Sequence, residues 1–265
     1  MFSTNVVNQL ASEYDMTLVI LSYIVAVCAS FTALYLATQI TASKTGNRTT
    51  LLLTGAVAMG LGIWCMHFIA ALAFMLPITV SYDVMLTVAS VVPAVIASWI
   101  ALYIVTRPSM GIGQMILGGL LMGPGIGGMH YTGMWAMKMD ATMSFDPKLF
   151  GLSLVVAIVV SIVALWLAFH LRGGKDQDNT LLKIVSALVM GAAVVGMHFT
   201  GQAATHIVPN SSAMISSAPK MADGTMWLAV AIGAGTIAIL VLVIMGAGSE
   251  DTVVVTDAKN VKKAA

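Results

Sequence analysis

Apolar residues gather into seven stretches, at 16–40, 50–76, 84–105, 112–137, 149–171, 181–204 and 226–245. A hydrocarbon core of about 30 Å takes about 20 residues of helix to cross, so the pattern predicts seven transmembrane helices. Short polar or turn-like segments punctuate it: SKTGNR, PITVSYD, TRPSMG, MDATMSFDPK, RGGKDQDN and a longer run from His206 to Thr225. Residues 1–15 read as an outer N-terminal segment, 16–246 as one seven-helix domain and 247–265 as a short cytoplasmic tail. The fold expected is an all-α membrane protein.

Charge orients it. Lys44, Arg48, Arg107, Arg172, Lys175, Lys183, Lys259, Lys262 and Lys263 fall on one side of the spans, and only Lys138, Lys148 and Lys220 on the other. Nine against three puts the N-terminus outside and the C-terminus in the cytoplasm, N-out/C-in. Tyr14, Tyr82, Trp135 and Trp227 then stand near the outer interface, and Tyr103 and Trp166 near the inner one. Glu13 and Asp15 precede the first span without a Lys or Arg, so it is not a cleavable signal peptide. The tail is too short for a domain, and a signal leaving the chain is expected to need a cytoplasmic or membrane partner protein.

Composition agrees and excludes other classes. Of 265 residues, 59% are hydrophobic and 9% charged, where a soluble domain carries about 25% charged residues. A net charge of +1 gives no field for nucleic acid. Cys28 and Cys65, both in apolar stretches, form no disulfide framework. No Ser/His/Asp triad, phosphate loop or carboxylate pair stands out, so the chain is not expected to be an enzyme.

One pattern recurs on the second, fourth and sixth helices: MGLGIWCMHFIA from Met59, MGPGIGGMHYTG from Met122 and MGAAVVGMHFTG from Met190. The skeleton is Met-Gly, five residues, then Met-His-aromatic, and the histidines, His67, His130 and His198, are 63 and 68 residues apart. All three helices run in one direction, which makes them parallel repeats about an axis near the membrane normal. The imidazoles lie about 9–14 Å below the outer edge at 1.5 Å per residue. They are expected to converge there with the sulfurs of Met66, Met129 and Met197. Met59, Met122 and Met190 form a second ring about 10 Å deeper. Gly60, Gly123, Gly191, Gly128, Gly133, Gly196 and Gly201 read as close-approach positions between helices, and Pro124 as a kink. Asp83, Asp140 and Asp146 read as solvated loop charges, His206 and His170 as interfacial residues, and Met134 as packing.

A titratable group inside a span is by default functional, and three at one depth outweigh a packing role. Imidazole and thioether are soft to borderline donors that suit copper, above all Cu(I). The motif helices hold no Asp or Glu beside the histidines, which favours a monovalent ion over a dication. Haem with axial His or Met ligands is the alternative, although it leaves one motif unused.

GMHYTGM at 128–134, with WCMHFIA at 64–70 and GMHFTGQ at 196–202, resembles the signature of the MHYT domain. That family is a bacterial seven-helix integral membrane sensor domain, and the resemblance spans roughly residues 10–245. It implies a multi-pass protein of the bacterial cytoplasmic (inner) membrane that binds copper and through it detects oxygen, carbon monoxide, nitric oxide or redox state. The metal ligands it implies are Met66, His67, Met129, His130, Met197 and His198. The first copy departs from the pattern at Ile69, where the others have Thr132 and Thr200. Members often continue into cyclic-dinucleotide synthase or hydrolase domains, which this sequence does not include. A copper carrier and a haem or copper electron-transfer subunit are the other readings.

Overall fold

A computed structural model describes residues 10–43, 47–173, 179–216, 218–219 and 225–264, with side chains described as far as residue 247. Its helices are α1 (Met16–Ala42), α2 (Arg48–Leu72), α3 (Val84–Ala89), α4 (Val91–Val105), α5 (Ile112–Trp135), α6 (Pro147–Leu171), α7 (Thr180–Ala203) and α8 (Thr225–Ala264). Seven spans follow, the third made of α3 and α4 together and the last covering Thr225–Ala247. The third span breaks at Ser90 because Pro93 has no N–H to give the carbonyl of Ala89. α8 runs on as helix through the residues expected to form the tail.

Six helices close a ring in the order α1, α2, α4, α5, α6, α7, and α8 packs outside against α1 and α2. The crossings within the ring repeat. A methyl at Gly60 would strike the backbone of Val95 at 2.7 Å, one at Gly123 that of Ile158 at 2.8 Å, and one at Gly191 that of Val27 at 3.1 Å. These glycines let each motif helix lie directly on an outer helix, as their place in the motif suggested. Gly128 and Gly196, by contrast, face no neighbour within 4 Å, so the close-approach reading does not extend to them.

The loops beyond the histidines are more ordered than the hydropathy pattern indicated. Among the described residues they carry six short strands, β1 (Glu13–Tyr14), β2 (Phe74–Met75), β3 (Val80–Tyr82), β4 (Met137–Met139), β5 (Ala141–Phe145) and β6 (Thr205–Pro209). β1 pairs with β2, β3 with β4 and β5 with β6, all antiparallel. Each repeat is therefore a strand, an outer helix, a motif helix and a returning strand. The second and fourth spans accordingly end earlier than expected, at Leu72 and Trp135.

A second sequence repeat begins each unit: Glu-Tyr-Asp at 13–15, Ser-Tyr-Asp at 81–83 and Ser-Phe-Asp at 144–146. The Asp15 carboxylate accepts from Leu18 N–H at 3.0 Å, Asp83 from Leu86 at 3.0 Å and Asp146 from Leu149 at 2.9 Å. Each thus caps the first turn of an outer helix. The same three residues donate their own N–H to the carbonyls of Ala73, Ala136 and Ala204, which end the motif helices, at 2.9, 2.8 and 2.8 Å. Asp83 and Asp146 are therefore helix caps rather than merely solvated charges, and Asp140 accepts from Asn210 and Ser212 at 2.8 Å each.

Hydrogen bonding holds these carboxyls below the usual range: chiefly the Lys138 ammonium for Asp83 and the Leu149 N–H for Asp146. A depressed folded value means that the contribution is complete above the ordinary value near 3.8 and is lost as pH falls below it. Thermal unfolding in detergent is expected to show a melting temperature that drops below about pH 4. Asp146→Ala is expected to lower it already at neutral pH and to flatten that acid response.

Candidate metal centre

His67, His130 and His198 each stand five residues before the last residue of their helix, at Leu72, Trp135 and Ala203. With three equivalent helices at equal depth, the side chains meet. His67 Nδ1 lies 3.0 Å from His198 Nδ1 and 3.1 Å from His130 Nδ1. One ring nitrogen from each of the three falls within 4.8 Å of the others. Ring centroids are 4.9–5.1 Å apart and the planes stand edge to face. All three histidines are 1% exposed.

Two glycines of the motif aim the rings. The position of a methyl on Gly133 falls on the His67 imidazole, and that of a methyl on Gly201 falls on the His130 imidazole. The residue three places after one histidine is thus a seat for the ring of another helix. The motif aromatic then closes the site from above. Phe68 packs edge-on against Tyr82 at 5.4 Å, Tyr131 against Phe145 at 5.1 Å and Phe199 against Tyr14 at 5.3 Å. Each partner is the aromatic residue directly before a capping Asp, so the cap and the triad form one connected assembly. The aromatic-Asp repeat was readable beforehand as three matching tripeptides at nearly the histidine spacing, but it carries no hydropathy signal.

The predicted sulfurs divide. Met66, Met129 and Met197 are all buried beside the triad. Met66 lines a cavity of about 80 Å³ below it, and Met197 packs in one cluster with Ile63 and Ile126. The structure gathers the imidazoles into one point and leaves these thioethers around it. One turn down, Ile63, Ile126 and Val194 line the cavity, and a further turn down so do Met59, Met122 and Met190. Those three also line a second cavity of about 50 Å³ beneath, and so form the expected lower ring. Met134 is fully buried. His206 sits in β6 opposite Ser144, and the exposed His170 ring nitrogen bonds the Trp166 carbonyl at 2.8 Å, so neither joins the triad.

Around the site among the described residues there is no carboxylate or thiolate in the metal-ligand group. Three nitrogens each about 2.0 Å from one ion in a plane stand about 3.5 Å apart; two of the separations here, 3.0 and 3.1 Å, fall a few tenths of an ångström short of that, and the third is at most 4.8 Å. The donor set and the spacing fit a small soft or borderline ion.

Gly133→Ala and Gly201→Ala are each expected to destabilise the protein by about 1–3 kcal/mol, since the added methyl collides with a ring that cannot leave. Gly128→Ala, facing open space on the same helix, is the control and is expected to be neutral. Thermal unfolding in detergent separates the two cases.

Comparison with known proteins agrees with this architecture. A family described as "Bacterial signalling protein N terminal repeat", MHYT, matches residues 1–54, 60–118 and 123–177. The third motif, at Met197 and His198, lies outside those segments. The bifunctional diguanylate cyclase/cyclic di-GMP phosphodiesterase MucR of Pseudomonas aeruginosa is 43% identical over 89% of this chain and 34% of its own length. The cyclic di-GMP phosphodiesterase NbdA of the same organism is 39% identical over 72% of this chain and 24% of its own. The signaling protein YkoW of Bacillus subtilis is 34% identical over 72% and 24%. The chain thus spans about a third or less of the length of these relatives, and no solved structure matches it. Three repeats in sequence, closed in space around three histidines, make this chain a member of the MHYT family of membrane signalling proteins.

Proposed function

We propose that this chain is a membrane sensor that holds one copper ion, as Cu(I), between His67, His130 and His198, with Met66, Met129 and Met197 as neighbouring soft donors. The observation that carries the reading is the convergence of three Nδ1 atoms in a buried site with no carboxylate among the candidate ligands. Neutral nitrogen and sulfur donors favour copper, and the lack of carboxylates favours the monovalent state, whose burial costs less than a dication's. Haem is disfavoured because axial imidazoles must lie on opposite faces of a macrocycle, whereas these rings touch one another edge to face.

Copper in such a site supplies an open coordination position and a one-electron couple. That chemistry suits a diatomic gas or a change in redox state as the signal. The chain's own residues do the rest. The three helices hold the imidazoles at one depth, the aromatic pairs cover them from above, and aliphatic and thioether side chains with Ser30 and Ser161 line the cavity below. Arg48, Arg107, Arg172 and Lys183 gather at the opposite end of the bundle from Lys138 and Lys148. That distribution supports the N-out/C-in orientation in a bacterial cytoplasmic membrane. The relatives are named as signalling enzymes, and what we take from them is the signalling role: a partner or appended domain on the cytoplasmic side reads helix movement.

The two stacked cavities ringed by Met59, Met122 and Met190 favour one second reading, a copper carrier. Detergent-purified protein is expected to contain about one copper per chain and no Soret band, and His130→Ala combined with His198→Ala is expected to remove the metal. Copper flux in proteoliposomes that is lost when Met59, Met122 and Met190 are replaced by Leu would favour the carrier instead.

A further inference from the structure

The outer helices carry a serine repeat that the triad does not use. Seven residues after each capping Asp stand Ser22, Ser90 and Ser153, and fifteen residues after it Ser30, Ser98 and Ser161. All six are buried. The first set turns back on its own helix, as hydroxyls in a span ordinarily do. Ser22 donates to the Val19 carbonyl at 2.7 Å, Ser90 to that of Thr87 at 2.6 Å and Ser153 to that of Phe150 at 2.8 Å. The second set departs from this. The Oγ atoms of Ser98 and Ser161 have no hydrogen-bond partner among the described residues, and each residue is 1% exposed. A hydroxyl left alone in an apolar interior is costly, so such an atom marks a place where a guest molecule can bond.

Ser161 stands at such a place. With Ser30 it lines the cavity of about 80 Å³ beneath the triad, to which Met66 also contributes; Ser98 is not among the lining residues. Ile63, Ile126 and Val194 line it too, each four residues before its histidine, so the cavity reaches to within about 6 Å of the histidines along the helix axes. A water needs about 10–15 Å³ of such space and two to four polar partners. The volume is several times larger than that, but Ser30 and Ser161 bring the only hydroxyls, from two different helices, to otherwise aliphatic and thioether walls. Waters are poorly held there, whereas a molecule of two heavy atoms needs apolar walls and one donor. We infer that this cavity is the binding chamber for an uncharged diatomic molecule, and that the Ser161 hydroxyl donates a hydrogen bond to it. The inference rests on the triad's being an ion site for what the molecule meets above, and it deepens that reading by naming the chamber and the side chain that orients the guest.

The test uses xenon and carbon monoxide as probes of the full chain in detergent. In metal-free protein, xenon is expected to shift the ¹³C-methyl signal of Met66 saturably. Val160 lines the same cavity, and Val160→Phe, with the milder Val160→Leu beside it, is expected to abolish or weaken that shift by filling the space. Carbon monoxide in the chamber is expected to give an infrared C–O stretch distinct from that of the gas dissolved in detergent. Ser161→Ala is expected to move this band and to lower carbon monoxide affinity about two- to tenfold, and Ser161→Thr, which keeps the hydroxyl, to restore both. With Cu(I) bound, Ser161→Ala is expected to raise the stretch, because a donor at the oxygen draws electron density into the antibonding orbital. A Met66 signal that xenon leaves unmoved, or moves equally in the wild type and both Val160 variants, would overturn the chamber. A stretch and an affinity equal in the wild type and Ser161→Ala would overturn the hydrogen bond. Failure of the wild type to take up copper would instead remove the ion reading, and the metal-free series would still decide the inference.

Discussion

Three imidazoles share one point inside a layer that offers them no water, and the rest of the fold answers to that constraint. Nitrogens 3.0–3.1 Å apart can share a proton pairwise or face one ion together, but they cannot all keep hydrogens pointed at the centre. In a low-dielectric interior an unsatisfied polar group is costly, so each ring must be held at the right angle as well as the right depth. Depth comes from three helices that end five residues beyond their histidines. Angle comes from glycines on neighbouring helices. Exclusion of water comes from three aromatic pairs. The helix ends and the aromatic pairs are used three times, once per repeat, and the glycine seat twice, which is why a motif of so few residues builds a site from distant parts of the chain.

The same economy governs the ends of the helices. A capping Asp satisfies the start of an outer helix with its carboxylate and the end of a motif helix with its N–H. One residue thereby meets part of both orphan sets, an N–H at the start of one helix and a carbonyl at the end of another. The strand pairs beyond them tie the beginning of each repeat to its end. At the opposite end cations take this part. Arg48 donates to the Thr106 carbonyl at 2.9 Å, and Lys183 to the Thr38 hydroxyl at 3.0 Å. Movement of a motif helix would therefore be felt at both ends of the bundle, which is what a signalling role requires.

Much of this was legible in the sequence because hydropathy and repetition are strong signals in lipid. The seven spans, the motif helices, their common depth and the lower methionine ring all follow from run length and spacing. The strands did not, since runs such as Phe74–Met75 and Val80–Tyr82 are too short to show alternation and sit beside long apolar helices. Asp83 and Asp146 looked like loop charges because a cap is defined by the N–H it faces, and hydropathy is blind to that. Gly133 and Gly201 were assigned to helix contact in general, whereas their neighbour proves to be an imidazole.

X-ray absorption at the copper edge, on copper-loaded protein in detergent, tests the central claim most directly. The account predicts an inner shell with at least two imidazole nitrogens at about 2.0 Å, reduced in His130→Ala combined with His198→Ala. A shell of sulfur or water oxygen alone, or copper that remains in the same surroundings after both histidines are removed, would contradict it.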